Sequence, residues 1–424
     1  MLKMSDTNRL LLRCVQLNAT DKMHAEIEAL INQPIDWKTF ENAATWHGVA
    51  PLAFNRLRNI QDRQHLSIQC FETLKLEYRN NLIRNTIIFA ELEKIVDTLG
   101  EHSIPVVLLK GAAITRMIYK DIGLRPMSDI DILVKKEDLY QAVQAIEGCG
   151  YRQHNREDLE QLLNTKYHVV YFNPDTKVLL EVHWDITCNR NPSLVRSSVS
   201  SLMDMWWSRA SNAVSGLDHV FHLDPIDLIC LVGPHFFKHR FLKTNAGFST
   251  KGGLLQLCDI LNIVNYYQDS LSWNALKAES QRVGLHSTVS VALWVVKTLF
   301  NDVIDNRIIL FDDLMVAPSD KMIAHGVVKR ICAMQDKREP VPIGFIRTQP
   351  SSTYRDRIAS IVKAAFLGPA TLSGRLNRPI NSRWFYLNYF LRVFLLIKNY
   401  GKTWFMRRHL KEEGVLRRWI DGIE

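Results

Sequence analysis

The spacing of apolar and polar residues changes along this chain and divides it into four regions. Residues 1–100 carry apolar side chains at helical spacing. The pattern is clearest over 71–99, where leucines and isoleucines recur among charged residues as in an amphipathic helix. Residues 101–190 contain short apolar, β-branched runs that predict strands. Helical spacing returns over 191–300 and again over 301–424. The pattern therefore predicts an α+β fold, in which a small mixed β-sheet core is flanked by N- and C-terminal helical regions.

Four apolar runs in the central region predict the strands of this sheet. The first covers 106–109 and the second 130–134. The other two, 167–172 and 178–184, are joined by an Asn-Pro-Asp turn and are expected to pair as a hairpin.

Three carboxylates lie on or next to these apolar strands. Asp129 and Asp131 are two residues apart, so their side chains are expected to point to the same face of the strand, and Glu181 and His183 share a face in the same way. Two carboxylates beside buried isoleucines repel each other unless a cation lies between them. Oxygen ligands of this kind suit Mg²⁺, whose other ligands are water and substrate phosphates.

Gly111 follows the first strand, and residues 112–120 after it have helical spacing. A strand, a glycine and then a helix commonly present backbone N–H groups to a phosphate. The glycine can also simply provide a tight turn with a positive φ, and the two interpretations are compatible.

Three sequence motifs together resemble a known family. They are Leu108-Leu109-Lys110-Gly111, then Arg125-Pro126-Met127-Ser128-Asp129-Ile130-Asp131-Ile132-Leu133-Val134, and finally Glu181-Val182-His183-Trp184. In this order they resemble nucleotidyltransferases of the DNA polymerase β type, and more narrowly the bacterial uncharacterised nucleotidyltransferase family, over residues 105–185.

The resemblance implies an enzyme that transfers a nucleoside monophosphate from an NTP to an unidentified acceptor and releases pyrophosphate. Asp129, Asp131 and Glu181 would be its catalytic residues and would hold Mg²⁺ or Mn²⁺. Lys110, Gly111, Arg125 and Ser128 would bind the nucleotide. The acceptor would be a small molecule, a glycan or a protein, and residues 191–300 would close the cleft over it.

The sequence departs from the family pattern at the glycine motif. The usual Gly-Ser or Gly-Gly pair is Gly111-Ala112 here, so the serine hydroxyl is missing. Lys110 and Arg125 are expected to compensate by pairing with phosphate. Without such compensation, the chain would be a catalytically degenerate nucleotide-binding or scaffold protein.

The sequence leaves the roles of two further polar residues open. His183 is expected to orient Glu181, to hydrogen-bond the substrate or to fill the sheet, and the supporting role is favoured. Asp259 lies in an apolar helical stretch and is expected to reach either the site or a buried lysine.

Charge is unevenly distributed. The chain carries a formal net charge of +9, and residues 375–424 hold eleven Lys or Arg against four acids, a surplus of seven. This basic, aromatic tail is expected to contact a membrane surface, an acidic partner or, less favoured, nucleic acid. A protein- or RNA-directed transferase is the corresponding alternative function.

Cysteine usage predicts a location. The seven cysteines are scattered, form no CxxC pair and indicate free thiols in a reducing compartment. No apolar stretch reaches the length of a transmembrane helix. We therefore expect a cytoplasmic protein, with peripheral membrane contact through 375–424 as an option.

Overall fold

The computed structural model describes most of the first three quarters of the chain. The described residues are 4–18, 20–61, 64–155, 158–185, 199–213, 217–241, 252–300 and 318–332. No helix among them is both long enough and apolar enough to cross a membrane. The predictions for the tail at 375–424 lie outside the described residues.

Five helices precede the sheet. They are α1 (Asp6–Cys14), α2 (Asp21–Ile31), α3 (Trp37–Trp46), α4 (Ala50–Leu57) and α5 (Ile68–Glu101). Helices α1, α2, α3 and α5 each follow a side chain that accepts a hydrogen bond from a backbone N–H of the first turn; these residues are Ser5, Thr20, Asp36 and Ser67. Helix α4 instead has a proline in its first turn. Local caps thus specify where the helices begin.

Helix α5 confirms the helix predicted over 71–99 and is 34 residues long. Ile88, Leu92 and Leu99, on its second half, are buried in the core against the sheet. The helix ends at Glu101, one residue after Gly100. A Cβ at Gly100 would lie 2.5 Å from Nε2 of His219, so close packing requires a glycine at this position.

Seven strands form one mixed sheet in the described part of the chain. They are β1 (Val106–Leu108), β2 (Asp129–Leu133), β3 (Arg152–Gln153), β4 (His168–Phe172), β5 (Leu179–His183), β6 (Ser211–Asn212) and β7 (Val220–His222). Their order across the sheet is β3-β4-β5-β2-β1-β7-β6. The pairs β2–β5 and β1–β7 are parallel and the other pairs are antiparallel. The predicted α+β fold and the β4–β5 hairpin are confirmed, whereas β6 and β7 were not anticipated from the sequence.

The two faces of the sheet differ. Ile130, Ile132, Leu180 and Val182 are fully buried in the core cluster that also contains the apolar residues of α5. Because successive residues of a strand alternate between faces, the acids at positions 129, 131 and 181 project from the opposite face. The apolar face anchors the sheet and leaves the other face for polar side chains.

Three helices and one π-helical turn lie between the strands from β1 to β4. Helix α6 (Lys110–Ile114) follows β1 and continues as a π-helical turn, Thr115–Tyr119. Helix α7 (Leu139–Gly148) follows β2, and α8 (Leu159–Thr165) lies between β3 and β4. Single π turns are uncommon and are frequently found near functional sites.

Six further helices belong to the later part of the described chain. They are α9 (Val199–Arg209), α10 (Pro225–Phe241), α11 (Leu254–Tyr266), α12 (Trp273–Arg282), α13 (His286–Leu299) and α14 (Pro318–Cys332). Helix α11 is buried along most of its length, which agrees with its nearly continuous apolar sequence. The boundaries proposed at 100, 190 and 300 remain predictions.

Candidate functional site

Strand pairing brings the predicted acids together. In the parallel β2–β5 pair, Asp131 lies directly opposite Glu181, and Leu133 lies opposite His183. Asp129, Asp131, Glu181 and His183 therefore share one face of two neighbouring strands. The 50-residue separation of Asp131 and Glu181 in sequence is closed by a parallel pairing that the sequence motif alone does not reveal.

Lys110 is the basic side chain within this carboxylate cluster. Its Nζ lies 2.6 Å from Oδ1 of Asp131 and 3.8 Å from Oε2 of Glu181. The Lys110 backbone has a φ of 40°, an uncommon conformation for a residue other than glycine. Such backbone strain costs about 1–3 kcal/mol and often occurs at binding sites. The turn after β1 thus directs an ammonium group onto the acids.

His183 contacts both acids through one ring nitrogen. Its Nε2 lies 3.0 Å from Oδ1 of Asp131 and 3.3 Å from Oε2 of Glu181. Its Nδ1 is buried and has no hydrogen-bond partner among the described residues. A histidine that binds a metal usually donates its other N–H to an acceptor. His183 therefore fits a donor that orients the two carboxylates better than it fits a metal ligand, which agrees with the supporting role favoured from the sequence.

His168, on the neighbouring strand β4, extends this arrangement. Its ring stacks on His183 with 5.0 Å between ring centroids, and its Nε2 lies 4.0 Å from Oε1 of Glu181. The antiparallel β4–β5 register places the two histidines directly opposite each other. The sequence did not identify His168 as a residue of the site, because it matches no part of the family pattern.

The electrostatics of the three acids differ. Burial and the charges of Asp131 and Glu181 raise the pKa of Asp129 to about 6. Burial also favours the protonated form of Asp131, but Lys110 and His183 outweigh it and hold the pKa of Asp131 well below its usual value. For Glu181, the hydrogen bond from His183 and the charge of Lys110 likewise outweigh burial and lower its pKa. Lys110 neutralises only part of the charge of the cluster.

A divalent cation fits this set of donors. One carboxylate oxygen of Asp131, one of Glu181 and a ring nitrogen of His183 lie within 4.8 Å of one another, so the two carboxylates are close enough to share one cation while His183 donates to them. Asp129 lies two residues before Asp131 on the same strand face, and Ser128 Oγ donates to its Oδ1 at 3.0 Å. Three carboxylates face one ammonium group, so the cluster holds more negative charge than its own residues balance. Carboxylate oxygens in excess are the ligands that Mg²⁺ and Mn²⁺ take.

The structure does not bring Arg125 into this carboxylate cluster. Its Nε and Nη2 donate to the two oxygens of Asp259 on α11, at 2.9 and 2.8 Å. The hydroxyl of Tyr119, in the π-helical turn, donates to the same carboxylate at 2.9 Å. Burial lowers the pKa of Arg125, but the Asp259 carboxylate outweighs this effect and raises it, so the guanidinium stays charged. The buried partner of Asp259 is thus an arginine and not the lysine considered from the sequence.

Gly111 is explained by the position of Arg125. A Cβ at Gly111 would lie 2.8 Å from Nη1 of Arg125, a distance that real Cβ atoms do not adopt. The positive φ that a tight turn would require falls on Lys110 and not on Gly111. The glycine motif is therefore held against a guanidinium that Asp259 fixes in place.

Helix α5 fixes the loop that leads into β2. Tyr78 donates to Oδ2 of Asp121 at 3.0 Å, and Asn81 donates to the backbone oxygen of Gly123 at 2.7 Å. Asn85 donates to the backbone oxygens of Ile122 and Arg125 at 2.6 and 2.7 Å. Asn81 and Asn85 are buried although asparagine disfavours helix interiors. In the sequence, this contact could have been predicted from the two asparagines, which are four residues apart in an amphipathic helix.

Comparison with known proteins agrees with the motif pattern. A family described as uncharacterised nucleotidyltransferase matches residues 33–301, which is more than half of the chain. The match begins well before the strands and extends through α13. No curated protein matches the chain.

Proposed function

The chain belongs to the uncharacterised nucleotidyltransferase family, and from this premise we propose that it uses Mg²⁺ or Mn²⁺ to transfer a nucleoside monophosphate from an NTP to an acceptor hydroxyl. The new bond joins the acceptor oxygen to the α-phosphorus. The bond from this phosphorus to the bridging oxygen breaks, pyrophosphate leaves, and the hydroxyl proton is lost to solvent.

One observation carries the proposal. Asp131 and Glu181 lie opposite each other on parallel strands, Asp129 shares their face, and among the described residues Lys110 is the lysine or arginine that forms ion pairs with these acids. Three acids this close repel one another, and burial together with the charges of Asp131 and Glu181 raises the pKa of Asp129 to about 6. The arrangement is costly for folding and suits a site that receives a cation.

Each residue of the site has a defined part in this proposal. Asp129, Asp131 and Glu181 would hold the divalent ion. When bound, this ion supplies charge neutralisation at the phosphates and lowers the pKa of the acceptor hydroxyl. His183 keeps the carboxylates of Asp131 and Glu181 in one orientation through Nε2–H.

The nucleotide would lie at the end of the sheet where β1 stops and β2 begins. The antiparallel register of these strands places the segment after Leu108 beside Asp129. Gly111, Lys110 and Ser128 are all in this region and are the proposed contacts of the triphosphate. Lys110 would exchange its carboxylate partners for phosphate oxygens once the cation neutralises the acids.

The test is calorimetric binding of each of the four NTPs with Mg²⁺ and with EDTA. We expect at least one NTP to bind to the wild-type protein only with Mg²⁺. Asp131→Asn should lose this binding by about 100-fold or more, because it removes a ligand charge at the centre of the cluster. Asp97→Asn, an exposed acid on α5, is the matched control and should bind as the wild type does.

A nucleotide-binding protein without turnover is the second candidate. Its support is Ala112, which is fully buried in the core and leaves no hydroxyl beside Gly111. An NTP bound with Mg²⁺ and no release of pyrophosphate across an acceptor screen of alcohols, glycans and proteins would favour this candidate. Pyrophosphate release that Asp131→Asn abolishes would favour the enzyme.

A further inference from the structure

The proposed triphosphate site lacks one of the cations predicted for it. Arg125 is buried and its charge is paired with Asp259 through two hydrogen bonds. Lys110 is engaged by Asp131 and Glu181. A triphosphate adds negative charge to a cluster that already has more acids than bases, so a further basic side chain is needed at its phosphates.

Arg84 on α5 lies at the required place. Its Nη2 donates to the backbone oxygen of Ser128 at 3.3 Å, and Ser128 Oγ in turn donates to Oδ1 of Asp129. Gly111 reaches the same end of the sheet, because β1 and β2 are antiparallel and Leu108 pairs with Ile132. The guanidinium therefore contacts the residue that immediately precedes Asp129, the first acid of the cluster, at the same end of the sheet as the glycine motif.

The Arg84 side chain is also available for a ligand. It is exposed, and the described residues offer it no carboxylate partner. Its remaining donors can therefore turn toward an anion, and a guanidinium forks onto two phosphate oxygens. Its backbone is held in place, since the neighbouring Asn81 and Asn85 fix α5 to the loop that precedes β2.

We propose that Arg84 binds the triphosphate of the NTP, supplied by the N-terminal helix α5 in place of Arg125. This inference rests on the proposed function and names a binding residue of the same site. It assigns α5 two tasks, to hold the loop with asparagines and to neutralise the substrate with an arginine.

The experiment compares Arg84→Gln, Arg84→Lys and the control Arg79→Gln, which removes another exposed arginine of α5. Calorimetry measures three ligands on each protein: the NTPs with Mg²⁺, inorganic tripolyphosphate with Mg²⁺, and Mn²⁺ alone. We expect Arg84→Gln to weaken both the NTP and tripolyphosphate by about tenfold or more, the effect of one lost charge-assisted hydrogen bond. Arg84→Lys should recover part of the loss, and Arg79→Gln should stay within about twofold of the wild type.

The Mn²⁺ measurement separates binding from a structural role. If Arg84 only tethers Ser128, Arg84→Gln will weaken Mn²⁺ alone as much as it weakens the NTP, and this result overturns the proposal. Unchanged NTP affinity also overturns it, while leaving the proposed function intact. Loss of NTP but not of tripolyphosphate would assign Arg84 to the base or ribose and overturn the phosphate contact. If the wild type binds no NTP, the proposed function itself fails, and this inference fails with it.

Discussion

Two buried aspartates of this fold, Asp131 and Asp259, each hold a basic side chain, yet their surroundings differ. Asp259 is 2 % exposed and Asp131 is 4 % exposed, so burial does not distinguish them. Both accept short hydrogen bonds from a cation and from a second donor. The difference lies in the charge around each pair.

The Asp259 cluster is balanced. One carboxylate meets one guanidinium in a two-point contact, and the neutral Tyr119 hydroxyl provides a further donor. Burial and the Asp259 carboxylate raise the pKa of Tyr119 well above its usual value, so the hydroxyl stays protonated. A balanced buried pair of this kind joins α11 to the loop before β2 and leaves no charge for a ligand.

The Asp131 cluster is unbalanced, with three acids opposing one lysine. Excess charge lowers the stability of the metal-free fold and is relieved by a bound cation. Charge balance, and not burial or distance, therefore separates an anchoring pair from a binding site in this molecule.

The largest stability change is expected at the balanced cluster. Asp259→Ala leaves the Arg125 guanidinium buried without its partner, which should lower the free energy of unfolding by about 3–5 kcal/mol. Urea denaturation at pH 7 measures the change. Mg²⁺ should not recover the lost stability, since the defect is not in the cation site.

The double variant Arg125→Met, Asp259→Leu is the control for this result. Replacing both partners with apolar side chains removes the uncompensated charge, so the double variant should be more stable than Asp259→Ala. A single variant as stable as the wild type would show that Arg125 finds water or another acceptor, and would remove the anchoring role.

Lys110 is the basic side chain paired with the acids of the unbalanced cluster. Lys110→Met should destabilise the metal-free protein by about 2 kcal/mol, because Asp131 loses a charged partner. Mg²⁺ should restore more stability to this variant than to the wild type, since the cation no longer competes with an ammonium group. Urea denaturation with Mg²⁺ and with EDTA measures both effects.

Lys136→Met, which removes an exposed lysine after β2, is the control and should change neither value. If Mg²⁺ stabilises Lys110→Met no more than the wild type, Lys110 and the cation do not share the same carboxylates.

The sequence was sufficient where a feature depends on short-range periodicity. Alternation over two residues placed Asp129 and Asp131 on one face, and the Asn-Pro-Asp turn predicted the β4–β5 hairpin. Strands β6 and β7 have two and three residues and, unlike β1, lie in no continuous apolar, β-branched run, and were missed for that reason.

Contacts between residues far apart in the chain could not be predicted from the sequence. Arg125 and Asp259 are 134 residues apart in the sequence. No local pattern shows that Asp259 on α11 pairs with this arginine. Arg84 was hidden in the same way, because its contact with Ser128 depends on how α5 crosses the loop.

A gain in stability is expected at Asp129, and this result would sharpen the comparison most. The pKa of Asp129 is raised from its ordinary value of 3.8 to about 6 by burial and by Asp131 and Glu181. Between about pH 4 and pH 6 the folded protein retains a proton that the unfolded chain has lost. The contribution of this group to stability therefore falls as the pH rises through this window, and the full penalty remains above pH 6.

Asp129→Asn removes this penalty. In the absence of metal, the variant and the wild type should have similar free energies of unfolding near pH 4, and the variant should be more stable by about 1–3 kcal/mol at pH 7. Asp227, whose pKa is also raised to about 6 by burial, is present in both proteins, so its contribution cancels in the difference. Saturating Mg²⁺ should stabilise only the wild type. The difference in the free energy of unfolding between the two proteins at pH 7 should therefore become smaller or change sign. A variant that is less stable than the wild type at pH 7 without metal would mean that the acids are held by attractive contacts, and the unbalanced cluster would then be an anchor of the same kind as Asp259.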